Sequence, residues 1–289
     1  MSVRSANLAN KFSAGWLALV SFSVLAVLLS SCKDKIMLPP PGPEGKPIYA
    51  VDVNNTLIRF GSLSPGIVTQ RVTISGLQIG EKILGIDFRP IDKQLYALGS
   101  ANRIYVLDTL SGAATQMGTA TFSPALSGTT FGFDFNPMAD RIRVHGDDEQ
   151  NLRLNQVTGQ LAALDSIIAF ASGDARVGAN PNLAGTAYTN SVANATTTSL
   201  FAIDSDFDIL VSLPSPNNGR LVSIGPLGVN TTDFVGFDIA GDDGTAYASL
   251  TVPPSGVSSL YTLNLTNGAA TFLGTIGNNA PLLSIAIRP

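Results

Sequence analysis

The sequence predicts an all-β fold, a β-propeller of about five four-stranded blades. Three observations lead there. An opening phrase recurs along the chain, as G-I-D-F from Gly85, G-F-D-F from Gly132 and G-F-D-I from Gly236, and self-similarity of that kind marks a repeat architecture. Apolar and polar residues alternate in short runs bounded by Gly, Pro, Asn and Asp, and no stretch after the leader keeps a helical apolar period. The two ends of the chain also read as complementary parts of one repeat.

Residues 1–31 have the pattern of an export signal. Arg4 and Lys11 provide a positive start, and the apolar run from Trp16 to Leu29 is too short for a comfortable membrane span. Leu29-Ser30-Ser31-Cys32 follows, with the chain's single cysteine in last place. This resembles the bacterial lipobox, which implies acylation of Cys32 (palmitate or a similar chain) and cleavage before it. Several acyl chains on one residue anchor a domain stably where one would be marginal. Residues 32–47 then form a Pro-rich tether that an extended polyproline-like chain would stretch to roughly 40–50 Å. The expected address is a bacterial cell envelope, on the periplasmic or surface face of the outer membrane.

The domain is expected to occupy residues 48–289. In the clearest repeat, strands are predicted at 85–88, 95–98, 103–107 and 114–117. The next has strands near 133–135, 141–145 and 152–154. A more divergent copy has 184–188, 200–204 and 220–224, and the last has 245–250, 260–264 and 271–273. Ser284 to Pro289 match an opening strand, and Pro47 to Ala50 match a second strand. A C-terminal strand pairing into the N-terminal blade would therefore close the ring. The stretch 160–183 fits no strand of the repeat and reads as a long connection between blades.

Composition removes several function classes. The formal net charge is −4 over 289 residues, with 13% charged side chains, and it falls further once Arg4 and Lys11 leave with the signal. An acidic chain without a basic stripe is a poor nucleic-acid binder. One Cys and one His, Cys32 and His145, allow neither an internal disulfide nor a Cys/His zinc site. No G-x-S-x-G elbow accompanies His145. No cofactor and no metal are expected.

Three groups of residues are candidates for a site. Asp87, Asp134 and Asp238 hold the same position in three repeats. They would either converge in the central channel or each bond the backbone of the next blade, and repetition favours the second. Arg141, Arg143 and Arg153 share one face of a predicted hairpin, where they would clamp a carboxylate or phosphate or else form ion pairs between blades. Asp204, Asp206 and Asp208 have the acid spacing of a calcium loop, but Ile209 and Ser215 stand where that loop needs Gly and Glu. A polar turn is expected.

The run D-R-I-R-V-H-G-D-D-E-Q-N-L-R-L-N-Q-V-T-G at 140–159 resembles the bacterial domain of unknown function 4394 family. G-A-N-P-N-L-A-G-T-A-Y-T-N at 178–190 and N-N-G-R-L-V-S-I-G-P-L-G-V-N at 217–230 fit it as well. The resemblance covers about residues 48–289. It implies secreted or envelope-associated repeat proteins and brings no activity, cofactor or catalytic residue. The functional expectation is a non-enzymatic envelope lipoprotein that binds a protein or glycan partner. The alternatives are a metal-dependent hydrolase or lyase using the channel carboxylates, and a purely structural envelope component.

Overall fold

The computed structural model describes residues 44–289. Twenty-one strands and one short 3-10 turn make up the described chain. The leader, Cys32 and most of the tether lie outside the described residues. No helix among those described is long and apolar enough to cross a membrane.

Five small sheets form the blades of a β-propeller. Blade 1 contains β1 (Pro47–Asp52), β2 (Thr56–Gly61) and β3 (Ser64–Thr73). Blade 2 contains β4 (Ile83–Phe88), β5 (Leu95–Gly99), β6 (Arg103–Leu107) and β7 (Ala114–Gln116). Blade 3 contains β8 (Phe131–Asn136), β9 (Arg141–Gly146), β10 (Asn151–Asn155) and β11 (Leu161–Leu164). The two-residue β12 (Ala169–Phe170) joins blade 4, made of β13 (Leu183–Tyr188), β14 (Leu200–Asp204), β15 (Ile209–Ser215) and β16 (Arg220–Pro226). Blade 5 contains β17 (Val235–Ile239), β18 (Ala246–Thr251), β19 (Ser258–Leu263) and β20 (Ala270–Thr275). Finally β21 (Leu282–Ile287) returns to pair antiparallel with β1 as the inner strand of blade 1, with Ala286 opposite Tyr49.

The ring thus closes as the chain ends predict. Every strand of the ring and every buried apolar cluster of the described residues lies within 44–289. Two expectations need correction. Residues 160–183 do contain repeat structure, since β11 is the fourth strand of blade 3. Its half-exposed Leu-Ala-Ala-Leu lacks the β-branched and aromatic residues that signal a strand. The divergent repeat also has a third strand, β15, between the predicted strands at 200–204 and 220–224, and Pro214 within it and Pro216 just after it hid it. The remaining connection after β11 lays β12 parallel beside β16 and is pinned there by Asp174, which accepts from Ser223 N at 2.7 Å and Ser223 Oγ at 3.0 Å.

The repeated G-x-D phrase has a physical reason at each letter. The inner strands β21, β4, β8, β13 and β17 neighbour one another around the ring. A Cβ on Gly85 would sit 2.5 Å from Phe133 Cβ, and one on Gly132 would sit 2.6 Å from Thr186 Cβ. Only glycine permits that approach between adjacent blades. The apolar x residue packs between sheets. Four of the five junctions are filled by shared apolar clusters, such as Tyr49, Phe88 and Leu95 between blades 1 and 2.

Candidate functional site

The fifth junction, between blades 3 and 4, is different. Here the apolar cluster Ile168, Phe170, Tyr188, Leu200 and Leu213 belongs to blade 4 and its β12 strap, and polar side chains of blade 3 face it. β9 and β10 pair with Arg143 opposite Arg153 and His145 opposite Asn151, so period-two alternation puts all four on one face. Arg143 is the largest fully buried side chain of the described residues. It donates to Asp165 at 2.6 Å, Asn151 at 2.7 Å, Asn217 at 2.8 Å and Tyr188 Oη at 3.3 Å. Arg153 forms two further bonds to Asp165, at 2.7 and 2.9 Å. Arg141 donates to the Asp140 carbonyl and to Gln156.

The expected arginine cluster therefore exists as geometry. Its clamp is closed on the protein's own Asp165 and not open to a ligand. A buried guanidinium needs a counter-charge and filled hydrogen bonds, and Asp165 with the two asparagines provides them. His145 is also buried, with Nδ1 2.8 Å from Thr186 Oγ1 of blade 4. Burial and the Arg143 charge hold its imidazole well below the usual value, so it is neutral. Its Nε2 has no partner among the described residues.

The same junction opens at the surface into a groove of about 450 Å³. Tyr188, Leu213, Pro214 and Pro216 form its apolar wall, while Asn136, Thr198, Ser199 and Ser212 supply neutral polar groups, and no charged residue lines it. Sequence reasoning missed this groove. Its lining comes from five separate segments and carries no motif.

Asp87, Asp134 and Asp238 do both things that were posed as alternatives. Each reaches across to the next inner strand: Asp87 accepts from Phe135 N at 2.8 Å, Asp134 from Tyr188 N at 3.3 Å, and Asp238 from Ile287 N at 2.6 Å. One ligand atom from each of the three also lies within 4.8 Å of the other two, all in buried residues. Burial raises all three carboxyls, Asp238 to about 7, and mutual repulsion pushes Asp87 and Asp134 well above the ordinary range. The two remaining blades have Ala187 and Ala286 at this position, as the strand register shows. In blade 1, Ser284 Oγ replaces the carboxylate link by bonding Ile86 N at 3.1 Å.

The acids of the suspected calcium loop do not converge. Asp204 accepts from Asn182 N and Phe207 N, and Asp208 accepts from Thr231 N. Asp204 shapes the turn between β14 and β15 through Phe207, as expected of a polar turn, and Asp208 ties that turn to the connection before β17.

The family model described as Domain of unknown function (DUF4394) matches residues 56–286. The chain belongs to this DUF4394 family. No curated protein sequence matches it. Among solved structures, the chain is similar to one in a nidogen/laminin complex, at 12% identity over 85% of this chain and 99% of that one, with a TM-score of 0.49. It is also similar to a protein of unknown function from Bacteroides thetaiotaomicron, at 14% identity over 82% of this chain and 62% of that one, with a TM-score of 0.48. At such identities and scores these likenesses carry nothing about what this DUF4394 protein binds.

Proposed function

We propose that this DUF4394 protein is a non-enzymatic binding module, anchored through a lipid on Cys32 to a bacterial envelope membrane. Its partner is an uncharged segment of an envelope protein or glycan. One observation carries the reading: the groove between blades 3 and 4 combines an apolar wall with neutral hydrogen-bonding groups and no charge. A recognition site needs that mixture. A hydrolase would need two ionisable groups with opposed roles, and Tyr188 is the one ionisable side chain that lines the groove.

Binding of the 44–289 segment to arrayed envelope glycans and peptides tests this. Thr198→Trp fills the groove from the surface and is expected to abolish binding with the melting temperature unchanged. Binding that is indifferent to Thr198→Trp rejects the groove as the site.

The convergence of the three aspartates favours a second reading, a cation-dependent hydrolase or lyase. Calcium separates the two readings. If the carboxylates only link blades, millimolar calcium leaves the melting temperature where it was. A rise that Asp134→Ala removes would transfer support to the second reading.

A further inference from the structure

Two junctions of the ring carry an ion pair at the end where first strands turn into second strands. Between blades 2 and 3, Arg89 follows inner strand β4 and meets Asp140, which precedes β9. Nε and Nη2 of Arg89 lie 2.8 and 2.5 Å from the two carboxylate oxygens. Between blades 5 and 1, Lys46 precedes β1 and lies 2.6 Å from Asp242 and 2.9 Å from Asp243. Both junctions are sealed by ion pairs.

The junction between blades 1 and 2 carries charge at the same end without an acid partner. Register places Arg288 where blade 2 has Arg89, since Ala286 and Asp87 are equivalent partners of Tyr49 and Tyr96. Register also places Lys93 where blade 3 has Asp140, three residues before the partner of the Asp position. Both residues have left-handed backbone, with φ of 58° at Lys93 and 50° at Asp140. A cation therefore faces a cation. Neither forms an ion pair among the described residues. The acids that complete those two sealed junctions sit on turns joining first to second strand, at Asp140 in blade 3 and at Asp242 and Asp243 in blade 5. In blade 2 the corresponding turn carries Lys93, and its acid, Asp92, is held within the blade by Arg89 and the Tyr96 hydroxyl.

The result is an open groove of about 510 Å³ lined by Arg288, Lys93, Gln94, Thr109, Ser111 and Thr115 among others. Asp108 is the one acid that lines it. Its Oδ1 accepts from the N–H groups of Leu110 and Ser111 and from the Ser111 hydroxyl.

We propose that the groove between blades 1 and 2 binds a phosphate-bearing ligand between Arg288 and Lys93. The guanidinium offers a bidentate fork, the ammonium a point charge, and the neighbouring hydroxyls further hydrogen bonds. The phosphate comes from a lipid headgroup or from a soluble phosphate compound. The site is independent of the uncharged groove between blades 3 and 4.

The test uses the 44–289 segment, titrated calorimetrically with inorganic phosphate and floated with vesicles of phosphatidylglycerol or of phosphatidylcholine. Lys93→Asp copies the Arg89–Asp140 arrangement onto Arg288. It is expected to raise the melting temperature while weakening anion binding at least tenfold. Arg288→Ala is expected to weaken binding similarly, and Lys82→Ala, outside the groove, to leave it unchanged. Phosphate binding that Lys93→Asp weakens supports the site with a soluble source. Flotation on phosphatidylglycerol alone that Lys93→Asp weakens supports it with a lipid source. Absence of both, or binding that survives Lys93→Asp, overturns the proposal.

Discussion

Asp238 shows how one residue acts both as a link and as a cost. Its carboxylate accepts from Ile287 N across the seam and from its neighbour Ile239 N, each at 2.6 Å. Burial nevertheless raises its folded value to about 7. A carboxyl raised on folding takes up protons between its unfolded and folded values. Stability is therefore greatest below about pH 4 for this group and falls as pH rises toward 7, by up to roughly 4 kcal/mol. Asp87 and Asp134 act in the same direction. His145 acts in the opposite one, because its lowered value costs stability below about pH 6.5. Asp238→Asn keeps an acceptor for Ile287 N and removes the titration. The variant is expected to be more stable than the parent at pH 8 and to lose part of the decline between pH 5 and 8. Thermal melts at the two pH values check this, and parallel curves for the two proteins would refute it.

At the scale of elements, the β9–β10 pair carries a large internal charge that the rest of blade 3 must satisfy. Arg143 and Asp165 have side chains only 2% and 6% exposed, whereas Arg153 is 32% exposed. The two arginines should therefore respond differently to mutation. Asp165→Ala leaves a buried guanidinium without its counter-charge and is expected to cost about 3–5 kcal/mol. Arg153→Ala removes the partly solvated member and is expected to cost about 1 kcal/mol or less. Denaturant midpoints measure both, and equal losses would show that Arg143 does not depend on Asp165. The pair also fixes blade 4, because Arg143 and Asn151 reach Asn217 and the Pro216 carbonyl in the turn after β15. A β-ribbon with this many polar links at one junction orients its neighbour more specifically than an apolar face can.

For the molecule as a whole, β21 beside β1 makes the ring a single unit, with the two ends of the 44–289 segment in one blade. Glu44 and the Arg288 region therefore both belong to blade 1. Under the proposed anchoring, the tether on Cys32 would join the ring at that blade. Cys32→Ser is expected to move the protein from the membrane fraction to the soluble fraction, and mass spectrometry of the parent is expected to find acyl chains on Cys32. A variant that stays with membranes would disprove lipid anchoring at this residue.

The local signals in the chain were enough to determine the architecture. Alternating runs, turn residues and the G-x-D phrase are short-range features, and each is dictated by a contact that every blade repeats. Even ring closure was legible, because Ser284 to Pro289 and Pro47 to Ala50 each match a known part of the repeat. Strands that depart from the pattern, β11 and β15, were not legible, because tertiary pairing overrides their weak propensity. The site features were decided by tertiary structure alone. Asp87, Asp134 and Asp238 lie far apart in the chain, yet the ring brings them within 4.8 Å of one another. The sequence showed that Arg143 and Arg153 share a face, but not that Asp165 would fill the space between them. Nor did it show that Arg288 and Lys93 would line one groove, because that follows from closing the ring. Hydrophobic alternation acts within a strand, whereas the meeting of charges depends on how five blades pack around one axis.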